Sequence, residues 1–332
     1  MSHFALFRLY ASMFGGLLIA GMVAVPGSLR AQQSRVVGNP VRDEGVGTSV
    51  EQGQTPLDKA FEGSDRKWQP AEKRKNPIEA TQFSIDSRTM YLGRHHYSGA
   101  EGESLATGGW AGVKTGYFAG HLAFGMTAYT SQHLYGDQDK DGALLLARGQ
   151  EGYTALGELY ADVKLTEGLN FNVGRKEYDT PFINRNDNRL TPNTFEAISL
   201  LGGHKVGNDG ASLRYGLGYV DTIKERNSDE FVSMSVDAGA KAERGVFAAG
   251  ALYKKGSFSW GGIDYYSPDI INIAYSEIKL EVPINEWLKP RFAMQFVDQR
   301  SVGDDLLLNP GDSAQLYGFK AELPVGAALL TA

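Results

Sequence analysis

The sequence predicts an all-β fold, an antiparallel transmembrane β-barrel with about twelve strands in the residues from 81 onward. Two observations lead to this prediction. Apolar and polar residues alternate with a period of two over segments of about ten residues, and short and long connections join these segments in turn. Strands that cross an outer membrane have this length and alternation, because one face meets lipid and the other meets water.

The alternation is clearest between residues 212 and 219. Every second residue there is apolar or aromatic, namely Leu213, Tyr215, Leu217 and Tyr219, and the residues between them are polar, charged or glycine. Similar patterns predict strands at 153–164, 232–238 and 288–299, with Tyr153 and Leu159 on one apolar face. A soluble antiparallel sheet alternates in the same way, so the alternation alone leaves that alternative open.

The connections favour the membrane barrel. Short turns at one end with long loops at the other are typical of outer-membrane barrels, whereas soluble sandwiches mix their connections. Short turns are predicted at residues 119–121, 166–168, 206–210, 241–245 and 284–286. Long connections are predicted at residues 98–104, 131–151, 177–194, 223–229, 255–269 and 301–313.

The composition excludes several classes of protein. The chain has 332 residues, no cysteine and a net charge of −6. It therefore offers no basic field for nucleic acid, no disulfide scaffold and no thiolate chemistry. A mean hydropathy of −0.29, without any long apolar run, argues against a helical membrane protein.

The first 80 residues differ from the rest of the chain. Residues 1–31 have a basic start, an apolar stretch of about a dozen residues and a final alanine, which predicts a secretory signal peptide. Residues 32–80 contain four prolines, many charges and no apolar period. They are predicted to be a mostly disordered periplasmic extension. The barrel domain is predicted to occupy residues 81–332.

A motif lies in the stretch from Gly174 to Gly203. Its spaced residues are Asn186, Asp187, Arg189, Pro192, Thr194 and Phe195. The pattern resembles the signature that follows the fifth strand in the OprD family of outer-membrane porins. Residues 108–129 resemble the second hairpin of that family, and the similarity runs from about Phe83 to Phe319.

The resemblance implies an eighteen-stranded monomeric pore in the outer membrane of a Gram-negative bacterium, with a third loop that folds into the lumen. The chain differs from the family in its longer extension at 32–80 and in its end, residues 326–332, which lacks further strands and a terminal aromatic residue. Because an open sheet edge cannot face lipid, we expect a chain truncated from the larger barrel. The alternative is that twelve strands close with a suitable shear. The sequence leaves the oligomeric state open.

Residues 177–194 are predicted to form the constriction of this pore. Pro181 and Pro192 restrict the conformations of the segment, and Arg185, Asp187 and Arg189 carry charges of both signs. Folded inward, the two arginines would attract anionic groups while Asp187 tied the loop to a basic residue of the wall. The alternative is that Asp187 and Arg189 only hold the loop in place.

Charged residues on the polar faces of the strands are predicted to face the lumen, because a charge facing lipid is unfavourable by about 2–4 kcal/mol at the midplane. Charges that line a narrow pore set its ion preference. The family resemblance implies basic residues that guide carboxylate-bearing solutes. The predicted lumen-facing residues are Asp86, Arg88, Arg94, Lys114, Glu158, Asp162, Arg214, Lys289 and Arg291.

An acidic run could bind calcium. Asp137, Asp139 and Asp141, followed by Gly142, have the spacing that opens a calcium-binding loop. Position twelve of such a loop should be glutamate and is Arg148 here. A solvated acidic loop is therefore the alternative, and calcium is the one cofactor that the sequence suggests.

Three functions follow from these features. The first is a porin through which small hydrophilic solutes and ions diffuse across the outer-membrane lipid without a cofactor, with carboxylate-bearing solutes preferred. The second is a plugged structural or surface-binding barrel. The third, an outer-membrane hydrolase, is disfavoured because none of the six histidines lies near a nucleophile motif. The chain is therefore not predicted to be an enzyme.

Overall fold

The computed structural model describes residues 55–61, 76–95, 101–285, 288–325 and 328–331. The predicted signal peptide lies outside these residues, as does most of the predicted extension. Within the extension, residues 56–60 form a short helix, α1 (Pro56–Ala60), which packs against the inside of the sheet described below. No helix among the described residues is long and apolar enough to cross a membrane.

The described residues form one antiparallel sheet. Its strands are β1 (Gln82–His95), β2 (Glu101–Lys114), β3 (Leu122–Tyr135), β4 (Tyr153–Thr166), β5 (Leu169–Lys176), β6 (Thr194–Val206), β7 (Ala211–Lys224), β8 (Val232–Ser233), β9 (Val246–Lys255), β10 (Phe258–Ser267), β11 (Ile271–Glu281), β12 (Arg291–Ser301), β13 (Ser313–Val325) and β14 (Ala328–Thr331). A second short helix, α2 (Met234–Asp237), follows β8.

Each long strand pairs with the strands before and after it in sequence. The two-residue β8 pairs with β7 outside this path, so β7 also pairs with β9. Without β8 and the four-residue β14, twelve long strands are described. This is the number that the sequence predicts, although one predicted strand is absent and one strand lies where a loop was predicted. The predicted fold class, an all-β antiparallel barrel sheet, is confirmed.

The outer face of the sheet is apolar. Large apolar side chains project from nearly every long strand and are exposed, as expected for a surface that lipid covers. They include Phe83, Ile85, Phe124, Met126, Leu159, Val173, Ile198, Leu217, Phe247, Trp260, Ile278, Phe292, Met294 and Phe319.

A β-bulge in β4 changes which of its residues face inward. Thr127 pairs with Glu158, but the next residue, Ala128, pairs with Leu156, so Gly157 is the extra residue. Tyr153 therefore does not share a face with Leu159. It is buried on the inner face, whereas Leu159 is exposed on the outer face.

The predicted strand at 232–238 is wrong. Only Val232–Ser233 is a strand, and the rest belongs to α2 and a long loop, 225–245. The Ser235 hydroxyl accepts a hydrogen bond from the Arg244 N–H at 2.7 Å and donates one to the Ala242 carbonyl at 2.6 Å. These bonds fold the segment back on itself, which an alternation of apolar residues cannot reveal.

The predicted long loop at 255–269 is also wrong, because it contains β10. Apolar and aromatic side chains lie on both faces of this strand: Trp260 and Tyr266 point outward, whereas Ile263 and Tyr265 are buried on the inner face. An inner face that is apolar removes the alternation of polarity on which the sequence prediction depends. The predicted strand at 232–238 therefore lies in a long loop, and the predicted loop at 255–269 contains a strand. The number of long strands is unchanged.

The outward position of Leu217 gives a test of the fold. This side chain is 56% exposed near the middle of β7. Leu217→Arg places a charge in lipid, and we expect it to lower the free energy of unfolding by about 2–4 kcal/mol. Denaturant unfolding of the protein in lipid vesicles measures the change. Leu217→Met is the control, and equal stability of the two variants would contradict an outward-facing Leu217.

Candidate functional site

Residues 177–193, here called the inner loop, connect β5 to β6 and lie against the inner face of the sheet. The inner loop contacts β1 on one side, through Arg88, and β10 and β11 on the other, through Tyr265 and Tyr275. These strands are far apart in the order of the sheet. The sheet therefore curves around the inner loop, which reaches from one wall to another.

On the β1 side, Arg88 holds Asp187. The guanidinium contacts both carboxylate oxygens, at 2.5 Å and 3.2 Å, and also donates to the Arg189 carbonyl at 2.8 Å. The Nε atom of the same guanidinium lies 2.8 Å from the Asp86 carboxylate. Bidentate pairs of this kind fix orientation as well as distance. Asp187, predicted as a constriction residue, thus ties the inner loop to a basic residue of the wall.

On the β10 and β11 side, the contact is apolar. The ring of Phe182 packs edge-on against Tyr265 and Tyr275, with centroids 5.6 Å and 6.5 Å apart. Ile183 is buried in the same cluster, to which Ile263 also belongs. This apolar contact explains why β10 and β11 bury isoleucine and tyrosine on a face that is elsewhere polar.

Between these two contacts, Arg185 lies among carboxylates. Its Nη1 atom is 3.2 Å from Glu177, which is buried and also accepts a hydrogen bond from the Tyr129 hydroxyl at 2.7 Å. Burial favours the neutral guanidinium, but the negative charges of Glu177, Asp187 and Asp179 outweigh it, so the pKa of Arg185 is raised above its ordinary value. The Arg185 side chain keeps 17% of its surface exposed. Arg185 therefore stays charged and accessible.

Arg189, the third predicted constriction residue, is only 4% exposed. Its Nε atom donates to the Ala143 carbonyl at 3.2 Å, and Nη1 donates to the Asn188 carbonyl at 2.7 Å. The neighbouring Leu190 packs against Leu145 and Leu146. Arg189 and Leu190 thus join the inner loop to the preceding long loop, residues 136–152.

Lys224 and Arg226 anchor the inner loop from the end of β7. The Lys224 ammonium is fully buried and donates to the carbonyls of Pro192, Glu225 and Ser228 at 3.0–3.5 Å. The Arg226 N–H donates to the Asn193 side chain at 2.8 Å. Sequence reasoning missed both residues, because the partners are mostly backbone carbonyls, which leave no signal in residue types.

The register of the strands shows where the other predicted lumen residues lie. Asp86, Arg88, Arg94 and Lys114 share the face of β1 and β2 that the inner loop contacts. Lys114 and Asp162 are buried on this face and form an ion pair at 3.4 Å. The same face carries Glu158, whose carboxylate lies 3.1 Å from the Tyr129 hydroxyl oxygen.

The remaining predicted lumen residues are on β7 and near β12. Arg214 lies on the same face of β7 as Gly216, which approaches Phe61 of the segment after α1. Arg291 pairs with Glu281 at 3.0 Å across β12 and β11. Lys289 precedes β12 in an exposed turn, so the pairing assigns it to no face.

The structure does not bring the predicted calcium ligands together. Among the described residues, no group of three histidine, aspartate or glutamate side chains is placed to hold a metal ion. Asp141 instead accepts a hydrogen bond from the Ala143 N–H at 2.6 Å. The Lys140 ammonium lies 2.7 Å from Glu103 and 3.8 Å from Asp137. The acidic run thus includes a lysine whose nearest carboxylate belongs to β2.

The fold and the inner loop together define a class of protein. A curved antiparallel sheet with an apolar outer face, a charged inner face and a long loop folded inward is the architecture of an outer-membrane channel protein. A sequence profile described as "outer membrane porin, OprD family" matches residues 75–314. The chain belongs to the OprD family of outer membrane porins. Its location is therefore the outer membrane of a Gram-negative bacterium, and its relatives are channels, not enzymes.

Solved structures share the fold. OccAB3 of Acinetobacter baumannii superposes with a TM-score of 0.65 at 17% identity, covering 76% of this chain and 66% of that one. OccK9 (OpdG) of Pseudomonas aeruginosa superposes with a TM-score of 0.65 at 21% identity, covering 77% of this chain and 67% of that one. OpdK of Pseudomonas aeruginosa, in a crystal structure with vanillate, superposes with a TM-score of 0.64 at 16% identity, covering 77% of this chain and 66% of that one. This chain thus spans about two thirds of the length of these proteins. No curated protein sequence matches it.

The Arg88–Asp187 contact gives a test of how the inner loop is held. Arg88→Ala removes charged hydrogen bonds worth about 2 kcal/mol, so the loop should open roughly 30-fold more often. Hydrogen exchange at the amides of Arg185 and Asn193 measures this opening, because both are hydrogen-bonded within the loop at 2.7 Å. Arg300→Ala, which breaks an ion pair with Asp298 on β12, is the control. Unchanged exchange in Arg88→Ala would show that other contacts hold the loop.

Proposed function

We propose that this chain forms a porin through which small hydrophilic solutes diffuse, and that the inner loop narrows its lumen. The observation that supports this best is the pair of contacts at the two sides of the inner loop, Arg88 with Asp187 and Phe182 with Tyr265. A segment held at both walls cannot swing out of the path of a solute. The predicted constriction residues divide between two roles, contact with the solute and attachment of the inner loop.

Arg185 is the residue that meets the solute. It is accessible and charged, whereas Arg189 is buried and Asp187 is engaged by Arg88. A guanidinium forms strong, oriented hydrogen bonds with a carboxylate, so the loop favours solutes that carry one. OpdK, which has a similar fold, was crystallised with vanillate. Vanillate is an aromatic carboxylate.

A second candidate function is the plugged barrel without transport. The observation that favours it is the amount of apolar side chain on the inner face, where Leu57, Phe182, Ile183 and Leu252 belong to one buried cluster. An apolar filling excludes water and hydrated ions. Single-channel conductance of the protein in planar lipid bilayers separates the two functions. Discrete conductance steps support the porin, and a folded protein that gives none supports the plugged barrel.

Measurements of ion selectivity test whether the charge of Arg185 acts on the ions that pass the pore. Arg185→Ala removes the positive charge that lies 3.2 Å from Glu177 and 3.9 Å from Asp179, so the pore should become more selective for cations. A unit charge about 7 Å from the ion path contributes about 0.6 kcal/mol in water, with opposite sign for cations and anions, so the cation-to-anion permeability ratio should rise about sevenfold. Reversal potentials in a salt gradient measure this ratio.

The control for this experiment is Arg244→Ala. Arg244 pairs with Asp269 in a different loop, so its loss changes the charge of the protein by the same amount at another place. Equal reversal potentials for wild type and Arg185→Ala, with conductance retained, would show that ions do not pass near Arg185.

A further inference from the structure

Residues 55–61, here called the N-terminal segment, form a compact unit at the inner face of the sheet. The helix α1 begins with proline, and Thr55 caps it: the Thr55 hydroxyl accepts a hydrogen bond from the Asp58 N–H at 3.2 Å, and the Thr55 N–H donates to the Asp58 carboxylate at 3.0 Å. This reciprocal cap stabilises a helix that is too short to form alone. Residues 56–60 thus form a helix within a stretch of sequence that has no apolar period.

On one side, the N-terminal segment packs into β9 and β10. Leu57 is completely buried and belongs to the same cluster as Leu252 and Ile263. Gly261 provides the space: a Cβ atom on this residue would lie 2.8 Å from the Leu57 side chain. Residue 261 therefore has no side chain where Leu57 enters the wall.

An ion pair closes the same contact. The Lys254 ammonium of β9 binds the Asp58 carboxylate, whose side chain is only 6% exposed. Burial acts to raise the pKa of Asp58, but the hydrogen bonds from Lys254 and from the Thr55 backbone outweigh it, so the pKa of Asp58 lies below its ordinary value. The carboxylate is thus charged at neutral pH, and its partner cation is supplied by the wall.

On its other side, the N-terminal segment faces β5, β6 and β7. Lys59 and Ala60 border a small cavity of about 20 Å3 with Asn172 and Leu201, directly beside Tyr178 and Asp179 of the inner loop. The ring of Phe61 comes within 3.5 Å of the position of a Cβ atom at Gly216. The segment therefore reaches from one wall to another, as the inner loop does.

The N-terminal segment and the inner loop contact the strands at different heights between the short turns and the long loops. Lys254 and Gly261 flank the short turn at residues 256–257, whereas the inner loop leaves the sheet at the long-loop end, after Lys176. A solute that passed the inner loop would next meet the N-terminal segment. Residues 76–81, which precede β1, lie at the end of the short turns, where the Gly116 N–H donates to the Pro77 carbonyl at 2.9 Å.

We propose that the N-terminal segment is a tethered plug, which closes the lumen below the inner loop when Leu57 and Asp58 occupy the site formed by Gly261 and Lys254, and opens it when they leave. The proposal goes beyond passive diffusion, because it gives the pore a closed state.

The tether makes this state reversible. The chain between Phe61 and Asn76 can span about 50 Å when extended, enough for the segment to leave the lumen and remain attached. Attachment through a linker of this length keeps the segment at an effective concentration on the order of millimolar. A site with one ion pair and one buried leucine can therefore be largely filled and still release its occupant.

Charge reversal at the site tests the plug. We expect Asp58→Lys and Lys254→Asp each to raise the open fraction of single channels in planar bilayers about tenfold. The double variant Asp58→Lys with Lys254→Asp restores the attraction and should return the open fraction toward that of wild type. Lys255→Asp is the matched control, since Lys255 is the next residue and pairs with Asp209 in an exposed turn.

Equal open fractions in wild type and Asp58→Lys would overturn the plug. Asp58→Lys alone is sufficient for this decision, because Asp58 lies outside the strands of the barrel and its replacement leaves every strand unaltered. If Lys254→Asp does not fold, the comparison of wild type with Asp58→Lys still stands.

A labelling experiment tests docking without conductance. The chain has no cysteine, so Leu57→Cys is the only thiol in its variant. We expect it to react with a water-soluble maleimide at least tenfold more slowly than Asp209→Cys, and to lose this protection when Lys254→Asp is added. Equal rates for the two single-cysteine variants would show that the segment is not docked. Slow labelling in a protein that never conducts would instead contradict the proposed diffusion and leave a permanently plugged barrel.

Discussion

Hydrocarbon offers no hydrogen-bond partners, so every polar group of a strand in the membrane must find its partner within the protein. The rest of the structure depends on this constraint. Long strands pair antiparallel with their neighbours, and the inner face carries ion pairs such as Lys114 with Asp162 and Arg291 with Glu281. Charges of both signs on this face give the loops ionic partners when they fold inward.

The inner loop uses two kinds of contact with the wall. Its ionic contact at Arg88 resists displacement through geometry, because a bidentate pair tolerates little rotation, and its apolar contact at Phe182 resists it by burial. The mixture also explains the uneven inner face, which is charged near β1 and apolar near β10 and β11. Leu57 extends the apolar part of this face toward the short turns, so the N-terminal segment and the inner loop share one buried cluster.

The sequence predicts much of the fold, because a period of two reports directly on the two environments of a strand. The prediction fails where both faces share an environment, as in β10, whose Tyr265 packs on Phe182 while Tyr266 faces outward. It also fails where hydroxyl groups redirect the chain, as at Ser235, and where a bulge at Gly157 shifts the alternation. At the site, the motif identifies Asp187 and Arg189, but the partners of Lys224 are backbone carbonyls that no residue pattern encodes.

The size of solute that passes the protein tests the role of the inner loop most directly. Residues 179–192 would be replaced by a short glycine and serine linker, and the swelling rates of liposomes containing the protein would be compared for a series of sugars of increasing size. A loop that narrows the lumen predicts that the shortened protein admits larger sugars than wild type does. An unchanged size limit, in a protein that still folds and conducts, would contradict this account.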